Sequence, residues 1–122
     1  MVDALGLPLV FAITEGQRHD IQPAKELSEK AASRCLLADK AYDSDDLRSA
    51  LTAQGCSSVI PSKASRAQRL PYDKELYKAR SAIECTFSLL KQARRFATRY
   101  EKTLRNYAAV VALSCALLWL RV

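Results

Sequence analysis

Four residues suited to handling phosphate groups stand at helical spacing in the second half of the chain: Tyr77, Arg80, Glu84 and Lys91. At about 100° per residue they would span only ~60° of a helix circumference, which makes one narrow polar stripe. Glu84 and Lys91 are too far apart for an i,i+4 ion pair, so that simple explanation fails. An ordinary solvated helix face remains the alternative explanation at this point.

A second acidic residue, Asp39, directly follows the apolar run CLLA, which is typical of a buried strand. Open α/β sheets bind their ligands at the carboxyl ends of strands. Asp43 is predicted to cap the next helix, which leaves Asp39 free. The two carboxylates of Asp39 and Glu84 are the minimum for holding a magnesium-type cation through oxygen ligands. Two-metal phosphoryl transfer generally needs a third acidic ligand.

The elements that must position these residues alternate between strands and helices. Asp20 is predicted to cap the first helix, and Asp43 with Asp46 has the capping spacing for the second, which Gly55 closes. This alternation predicts a largely parallel central sheet in an α/β domain. The basic segment over residues 62–71 is predicted to be a mobile loop. The predicted strands cover residues 7–14, 35–38 and 57–60, and the predicted helices cover residues 21–32, 44–54, 74–94 and 104–120.

An apolar stripe is predicted beside the polar one, formed by Leu76, Ile83, Phe87 and Leu90. Such a stripe is the usual core face of an amphipathic helix. Glu84 is therefore expected at the rim of a core, where a carboxylate can be held rigidly and still meet a ligand.

The whole chain has a formal net charge of +6, and its basic residues are concentrated in the second half. Residues 1–60 carry six Lys or Arg against nine Asp or Glu, whereas residues 61–105 carry twelve against four. A basic half of this kind is the electrostatic footprint of a partner rich in phosphates, and a solvated set of helix faces is the alternative.

The 122 residues are enough for one domain, and the start of the chain has no secretory leader pattern. The four cysteines lack zinc or redox spacing and are expected to be buried, reduced thiols in a cytoplasmic protein. The apolar run over residues 108–120 is shorter than the ~20 residues that a bilayer needs. We therefore expect a buried helix there and no membrane association.

The motifs resemble those of a known family. The segment LLADKAYDS around Asp39, followed by Tyr77-x2-Arg80-x3-Glu84-x6-Lys91, closely resembles the DDE transposases of bacterial insertion sequences, in particular the IS4-like superfamily with its Y-R-E-K signature. The resemblance extends from GLPLVFAITEGQRHD to the terminal helix. It implies a ribonuclease-H-like fold, with a mixed sheet flanked by helices, in an enzyme of DNA transposition and recombination.

The resemblance also implies a role for each site residue. Asp39 matches the second catalytic aspartate and Glu84 the catalytic glutamate, and both would bind Mg²⁺ or Mn²⁺. Tyr77, Arg80 and Lys91 match positions that contact DNA phosphates near the cleavage site. Further DNA contacts are expected from a basic cluster of Arg94, Arg95, Arg99, Lys102 and Arg105.

One family feature has no match in these 122 residues. The first catalytic aspartate of the family lies on a strand before the segment that VDALGLPLVF resembles, and Asp3 matches a turn position instead. We therefore expect residues 1–122 to be a single partial catalytic domain, lacking the first strand and most of the second, and inactive alone. The strand over residues 7–14 would then expose unpaired backbone.

Two other functions remain open at this stage. One is a non-catalytic DNA-binding remnant or regulator that acts with a full-length transposase or with further copies of this chain. The other is an inert helical interaction protein.

Overall fold

The structure is a computed structural model that describes residues 1–14, 21–97 and 104–121, with backbone alone for residues 93–97. The chain forms two compact units. The sheet unit is Thr14–Arg80, and the helical unit combines Met1–Ile13 with Ser81–Val122.

The sheet unit confirms the predicted α/β alternation. Its two strands pair in parallel, with Cys35 opposite Ser57 and Leu37 opposite Val59, and they form a two-stranded sheet within the described residues. A helix joins them, as a parallel pair requires. In chain order the unit contains α1 (Ile21–Ala31), β1 (Cys35–Leu37), a 3₁₀ turn (Lys40–Tyr42), α2 (Asp45–Ala53), β2 (Ser57–Val59), α3 (Lys74–Tyr77) and a second 3₁₀ turn (Lys78–Arg80).

The core of the sheet unit lies between α2 and the strands. Leu47 and Leu51 from α2 are fully buried together with Ile60, the residue after β2. Burying such side chains contributes roughly 1.5–3 kcal/mol each. The partly buried residues that pack against this core are Ile21, Ala24, Leu36, Ala38 and Tyr42.

The helix ends of the sheet unit follow local rules with one exception. Gly55 closes α2 at φ +71°, as predicted, and Ala32 adopts the same left-handed conformation after α1 at φ +46°. The predicted cap of α2 is wrong: Ser44 is the N-cap, and its Oγ accepts a hydrogen bond from the Leu47 amide at 3.5 Å. The Asp43 carboxylate instead accepts hydrogen bonds from Arg48 within α2 and from Arg66 in the loop after β2. Asp20 lies outside the described residues.

The helical unit consists of two packed helices and an N-terminal turn. Asp3 shapes that turn by accepting hydrogen bonds from the amides of Leu5 at 2.9 Å and Leu7 at 2.8 Å, which confirms its predicted turn position. The turn is fixed to both helices, since Thr86 Oγ1 binds the carbonyl oxygen of Gly6 and Trp119 Nε1 donates to that of Pro8 at 2.8 Å. The helices are α4 (Ser81–Ala97) and α5 (Leu104–Leu120).

The C-terminal helix α5 has the predicted extent, but its apolar surface is only partly covered. Ser114 and Cys115 are buried, whereas Leu113 and Leu117 on another face are exposed. The prediction of buried cysteines is confirmed for Cys56 and Cys115 and wrong for Cys85, which is exposed. None of the described helices is long and apolar enough to cross a bilayer.

The strand predicted over residues 7–14 is not formed. Its described pairing is an isolated antiparallel bridge between Val2 and Pro8, and residues 9–14 have no regular structure. A strand needs a partner that offers a run of backbone donors and acceptors. Among the described residues the partner segment is residues 1–3, whose backbone bonds reach Leu7, Leu9 and Val10.

The helix predicted over residues 74–94 is interrupted. It consists of α3, the 3₁₀ turn Lys78–Arg80 and α4. The hydrophobic period did not predict this interruption, because it does not distinguish a tight 3₁₀ turn from an α-helical one. The predicted core stripe is also wrong at two positions: Leu76 is 43% and Phe87 is 55% exposed. Ile83 and Leu90 are half-buried.

Candidate functional site

Asp39 lies where the sequence predicts it, at the carboxyl end of β1. The Ala38 amide still bonds across the sheet to Val59, so Asp39 is the first residue beyond the paired backbone. Its Oδ1 accepts a hydrogen bond from the Ala41 amide at 2.8 Å and thereby caps the 3₁₀ turn Lys40–Tyr42. The prediction that Asp39 is free of capping is therefore wrong. Among the described residues its Oδ2 has no hydrogen-bond partner.

Asp43, four residues later, is the most heavily bonded carboxylate in the described part of the chain. Its side chain is 1% exposed. Arg66 donates to it twice, from Nε at 2.9 Å and Nη2 at 2.7 Å, and Arg48 donates from Nε at 2.9 Å. The Lys63 amide adds a fourth bond at 2.8 Å. These bonds hold the pKa of the Asp43 carboxyl well below its usual range, with the bonds from Arg66 as the largest cause.

The two arginines bound to Asp43 connect further elements. Arg48 Nη2 donates to the Ile60 carbonyl at 2.8 Å, which links α2 to the end of β2. Arg66 Nη1 lies 2.9 Å from Asp45 Oδ1 in the first turn of α2. Arg66 belongs to the loop after β2, so the loop that was predicted to be mobile is tied to the turn that begins at Asp39.

Sequence analysis missed this network of Asp43, Arg48 and Arg66. A usable signal was present, because the carboxyl ends of parallel strands meet at one edge of a sheet. An acidic residue shortly after one predicted strand and an arginine after the next are therefore expected to be neighbours. Interpreting Asp43 as a local cap concealed that signal.

The first two residues of the Y-R-E-K stripe are in direct contact. The guanidinium carbon of Arg80 lies 5.6 Å from the ring centroid of Tyr77, a cation–π distance. Side chains three residues apart eclipse in a 3₁₀ turn, which explains the stacking. Tyr72 packs edge-on against Tyr77, with the two ring centroids 5.5 Å apart. The Tyr77 ring is therefore in contact with both Arg80 and Tyr72.

The other two stripe residues lie on α4 in the helical unit. Glu84 stands in the first turn, and Lys91 follows two turns later on the same face. Both are exposed, so Glu84 does not lie at the rim of a core in the described structure. An acid in the first turn is also favoured by the helix dipole, which gives Glu84 a structural explanation beside the functional one.

The predicted basic cluster is only partly described. Arg105, near the start of α5, is exposed. Arg94 and Arg95 lie on α4 with their side chains outside the described part, and Arg99 and Lys102 lie outside the described residues.

The residues present fit a divalent metal ion in type but not as a complete set. Carboxylate oxygens are the ligands that Mg²⁺ prefers, and Asp39 Oδ2 lacks a described protein partner. Within the described ranges, no group of three or more His, Cys, Asp or Glu could hold a metal ion. Asp39 belongs to the sheet unit and Glu84 to the helical unit.

Comparison with known proteins decides the family. The family model for the transposase DDE domain matches residues 1–119, which is nearly the whole chain. This chain belongs to that family. A Brucella ovis protein named as a transposase for insertion sequence element IS6501 is 40% identical over 123 residues. The alignment covers 99% of this chain and 95% of that relative. Comparison with solved structures yields no match.

Membership of the DDE transposases confirms the resemblance drawn from LLADKAYDS and the Y-R-E-K signature. The match runs through both units, since it begins at residue 1 and ends within α5. The roles of individual residues of this DDE transposase chain, and the assignment of residues 1–122 to a single partial domain, stay predictions.

Proposed function

We propose that this chain takes part in DNA transposition as the part of a transposase that carries two catalytic carboxylates, Asp39 and Glu84. The observation that carries the proposal is the position of Asp39 at the carboxyl end of β1, with one carboxylate oxygen bonded to the turn and the other without a described partner. Both residues stand in the motifs that resemble those of the family. We further propose that the complete catalytic domain is ribonuclease-H-like.

Asp39 and Glu84 would hold Mg²⁺ or Mn²⁺ through their carboxylate oxygens. When bound, the metal activates the attacking oxygen and stabilises the leaving one in phosphodiester cleavage. The capping bond from the Ala41 amide fixes the direction of the Asp39 side chain before any ligand arrives. Such prior orientation lowers the cost of assembling a site.

DNA would be held by the cations that follow Asp39 in the chain. Arg80 presents a planar guanidinium suited to bidentate phosphate contacts, and stacking on Tyr77 limits its freedom. Lys91 would add a point charge two turns after Glu84. Arg94, Arg95 and Arg99 would extend the contact along the DNA backbone.

The first test is strand cleavage with Mg²⁺ or Mn²⁺. We expect little or no cutting by this polypeptide alone, because two carboxylates are fewer than two-metal transfer generally needs. Robust cutting that Glu84→Gln abolishes would refute the predicted inactivity while supporting the site. Robust cutting that survives both Asp39→Asn and Glu84→Gln would overturn the site. Glu75→Gln is the matched control. Glu75 is an exposed residue of α3, and its carboxylate lies 2.9 Å from the Lys78 ammonium.

The second candidate function is a non-catalytic DNA-binding regulator that acts with a full-length transposase or with copies of itself. The excess of twelve basic over four acidic residues in the range 61–105 favours it. It predicts salt-sensitive DNA binding that does not depend on metal. Charge reversal of the basic cluster should weaken that binding strongly, and unchanged binding would refute the assignment; its members are Arg94, Arg95, Arg99, Lys102 and Arg105. If the chain binds no DNA even at low salt, the inert interaction protein becomes the better explanation.

A further inference from the structure

The loop over residues 61–71 is basic and leaves the sheet at the edge where Asp39 follows β1. It contains Lys63, Arg66 and Arg69 and no acidic residue. Because β1 and β2 are parallel, the loop after β2 begins at the same edge of the sheet as Asp39 after β1. All of these residues belong to the sheet unit.

This loop is held in place at three points. Its start is fixed where Arg48 binds the carbonyl of the preceding residue, Ile60, and where the Lys63 amide binds Asp43. Its middle is fixed by the double hydrogen bond from Arg66 to Asp43. Asp43 is almost completely buried, so these bonds are shielded from solvent and salt.

The cations near this edge divide into two classes. Arg48 and Arg66 are paired with carboxylates and serve as anchors. Lys63 and Arg69 form no ion pair with any described residue, and Arg69 is exposed. Among the described residues, the loop therefore carries two positive charges without an ion-pair partner on a segment whose backbone is held at several points.

We propose that the loop over residues 61–71 is a DNA-contacting element separate from the Y-R-E-K stripe, in which Lys63 and Arg69 bind backbone phosphates and Asp43 is a positioning residue acting through Arg66. This inference rests on the proposed function, because it assumes that DNA is the partner. Ordering of the loop before binding removes an entropic cost that a flexible loop would pay on contact with DNA.

The test measures DNA affinity of the full chain on a short duplex of mixed sequence over a series of salt concentrations. The variant Lys63→Gln/Arg69→Gln removes two contacts, so the slope of log affinity against log salt should fall in magnitude by about 1.8, or about 0.9 per phosphate contact. The matched control is Lys30→Gln/Arg34→Gln, which removes one exposed Lys and one exposed Arg before β1, toward the other edge of the sheet. Both variants lower the net charge equally, and the control should change the slope by much less.

A second comparison tests the positioning role of Asp43. Asp43→Asn makes the chain more positive, so bulk electrostatics predict tighter DNA binding, whereas loss of the anchor predicts weaker binding. Arg66→Lys keeps the net charge and removes the two-point bond; we expect about three- to tenfold weaker binding with an unchanged salt slope. A merely structural role would lower the melting temperature and leave the affinity of the folded protein unchanged. If Asp43→Asn does not fold, Arg66→Lys decides.

The outcomes separate the two proposals. If the unaltered chain shows no salt-sensitive DNA binding, DNA binding by this chain and the role of the loop are both overturned. If it binds DNA but the loop variant behaves like the Lys30 and Arg34 control, the loop inference alone is overturned. Unchanged affinity in folded Arg66→Lys would refute the positioning role of Asp43.

Discussion

The Arg66 guanidinium meets the Asp43 carboxylate side-on, with Nε 2.9 Å from one oxygen and Nη2 2.7 Å from the other. The two residues are 23 positions apart and belong to segments that follow different strands. Two parallel charge-assisted bonds fix direction as well as distance. This contact therefore determines where the loop after β2 lies relative to the turn that carries Asp39.

Replacement of Asp43 should be the most destabilising single change in the network. Asp43→Asn leaves Arg48 and Arg66 without their buried counter-charge, and we expect a loss of about 2–4 kcal/mol in the free energy of unfolding. The control Asp46→Asn removes an aspartate that is 75% exposed and pairs with Lys25 at 3.3 Å; it should cost less than about 1 kcal/mol. Urea unfolding measures both. Equal losses would contradict the central role of Asp43.

Acid should lower the free energy of unfolding by protonating the Asp43 carboxylate. The pKa of Asp43 is lower in the folded than in the unfolded chain, so the folded state favours the charged form. Its contribution to stability is complete above the unfolded pKa of about 3.9 and is lost as pH falls through that value toward the folded pKa. Thermal unfolding followed below about pH 4 should show a steeper loss for the unaltered chain than for Asp43→Asn. Parallel pH profiles would refute this assignment.

The two helix ends with left-handed backbone offer a reciprocal pair of substitutions. Ala32 has φ +46°, where an alanine is strained, so Ala32→Gly should raise stability by about 1 kcal/mol. Gly55 has φ +71° and nothing within 4 Å of an added Cβ, so Gly55→Ala should cost about 1 kcal/mol through the backbone alone. Differential scanning calorimetry should show melting shifts of opposite sign. Two shifts of the same sign would contradict the assigned conformations.

Core packing can be tested by removing the same side chain from two helices. Leu51 in α2 is 0% exposed, and Leu51→Ala should cost about 2–5 kcal/mol. Leu113 in α5 is 66% exposed, and Leu113→Ala should change stability by no more than about 0.5 kcal/mol. A large loss at Leu113 would show that its exposed face is covered in solution.

The sequence was informative about the fold where the signal is local. The run CLLA, the strand before Pro61 and the closing Gly55 were enough to predict the parallel pair and the helix between them. The strand over residues 7–14 failed because strand formation depends on a partner that composition does not reveal. The interruption at Lys78–Arg80 was missed because α and 3₁₀ turns share nearly the same hydrophobic pattern.

Prediction of the candidate site divided in the same way. The position of Asp39 followed from the end of an apolar run, and the family followed from the motif around it together with the Y-R-E-K spacing. Asp43 was misassigned because a capping rule considers only neighbouring residues, and Arg66 is 23 positions away. The joint action of Asp39 and Glu84 stays a prediction, since they belong to different units.

The ties along the loop after β2 also determine where the chain can be lengthened. Ile60 is held by Arg48, Arg66 by Asp43, and the Leu70 amide by Ser62 Oγ at 2.8 Å. Extra residues placed between these points would have to bulge out from a segment that is bonded on both sides of the insertion. Pro71, exposed and beyond the last tie, is therefore the position at which a grafted peptide or an accessory domain could be inserted without disturbing the edge that carries Asp39.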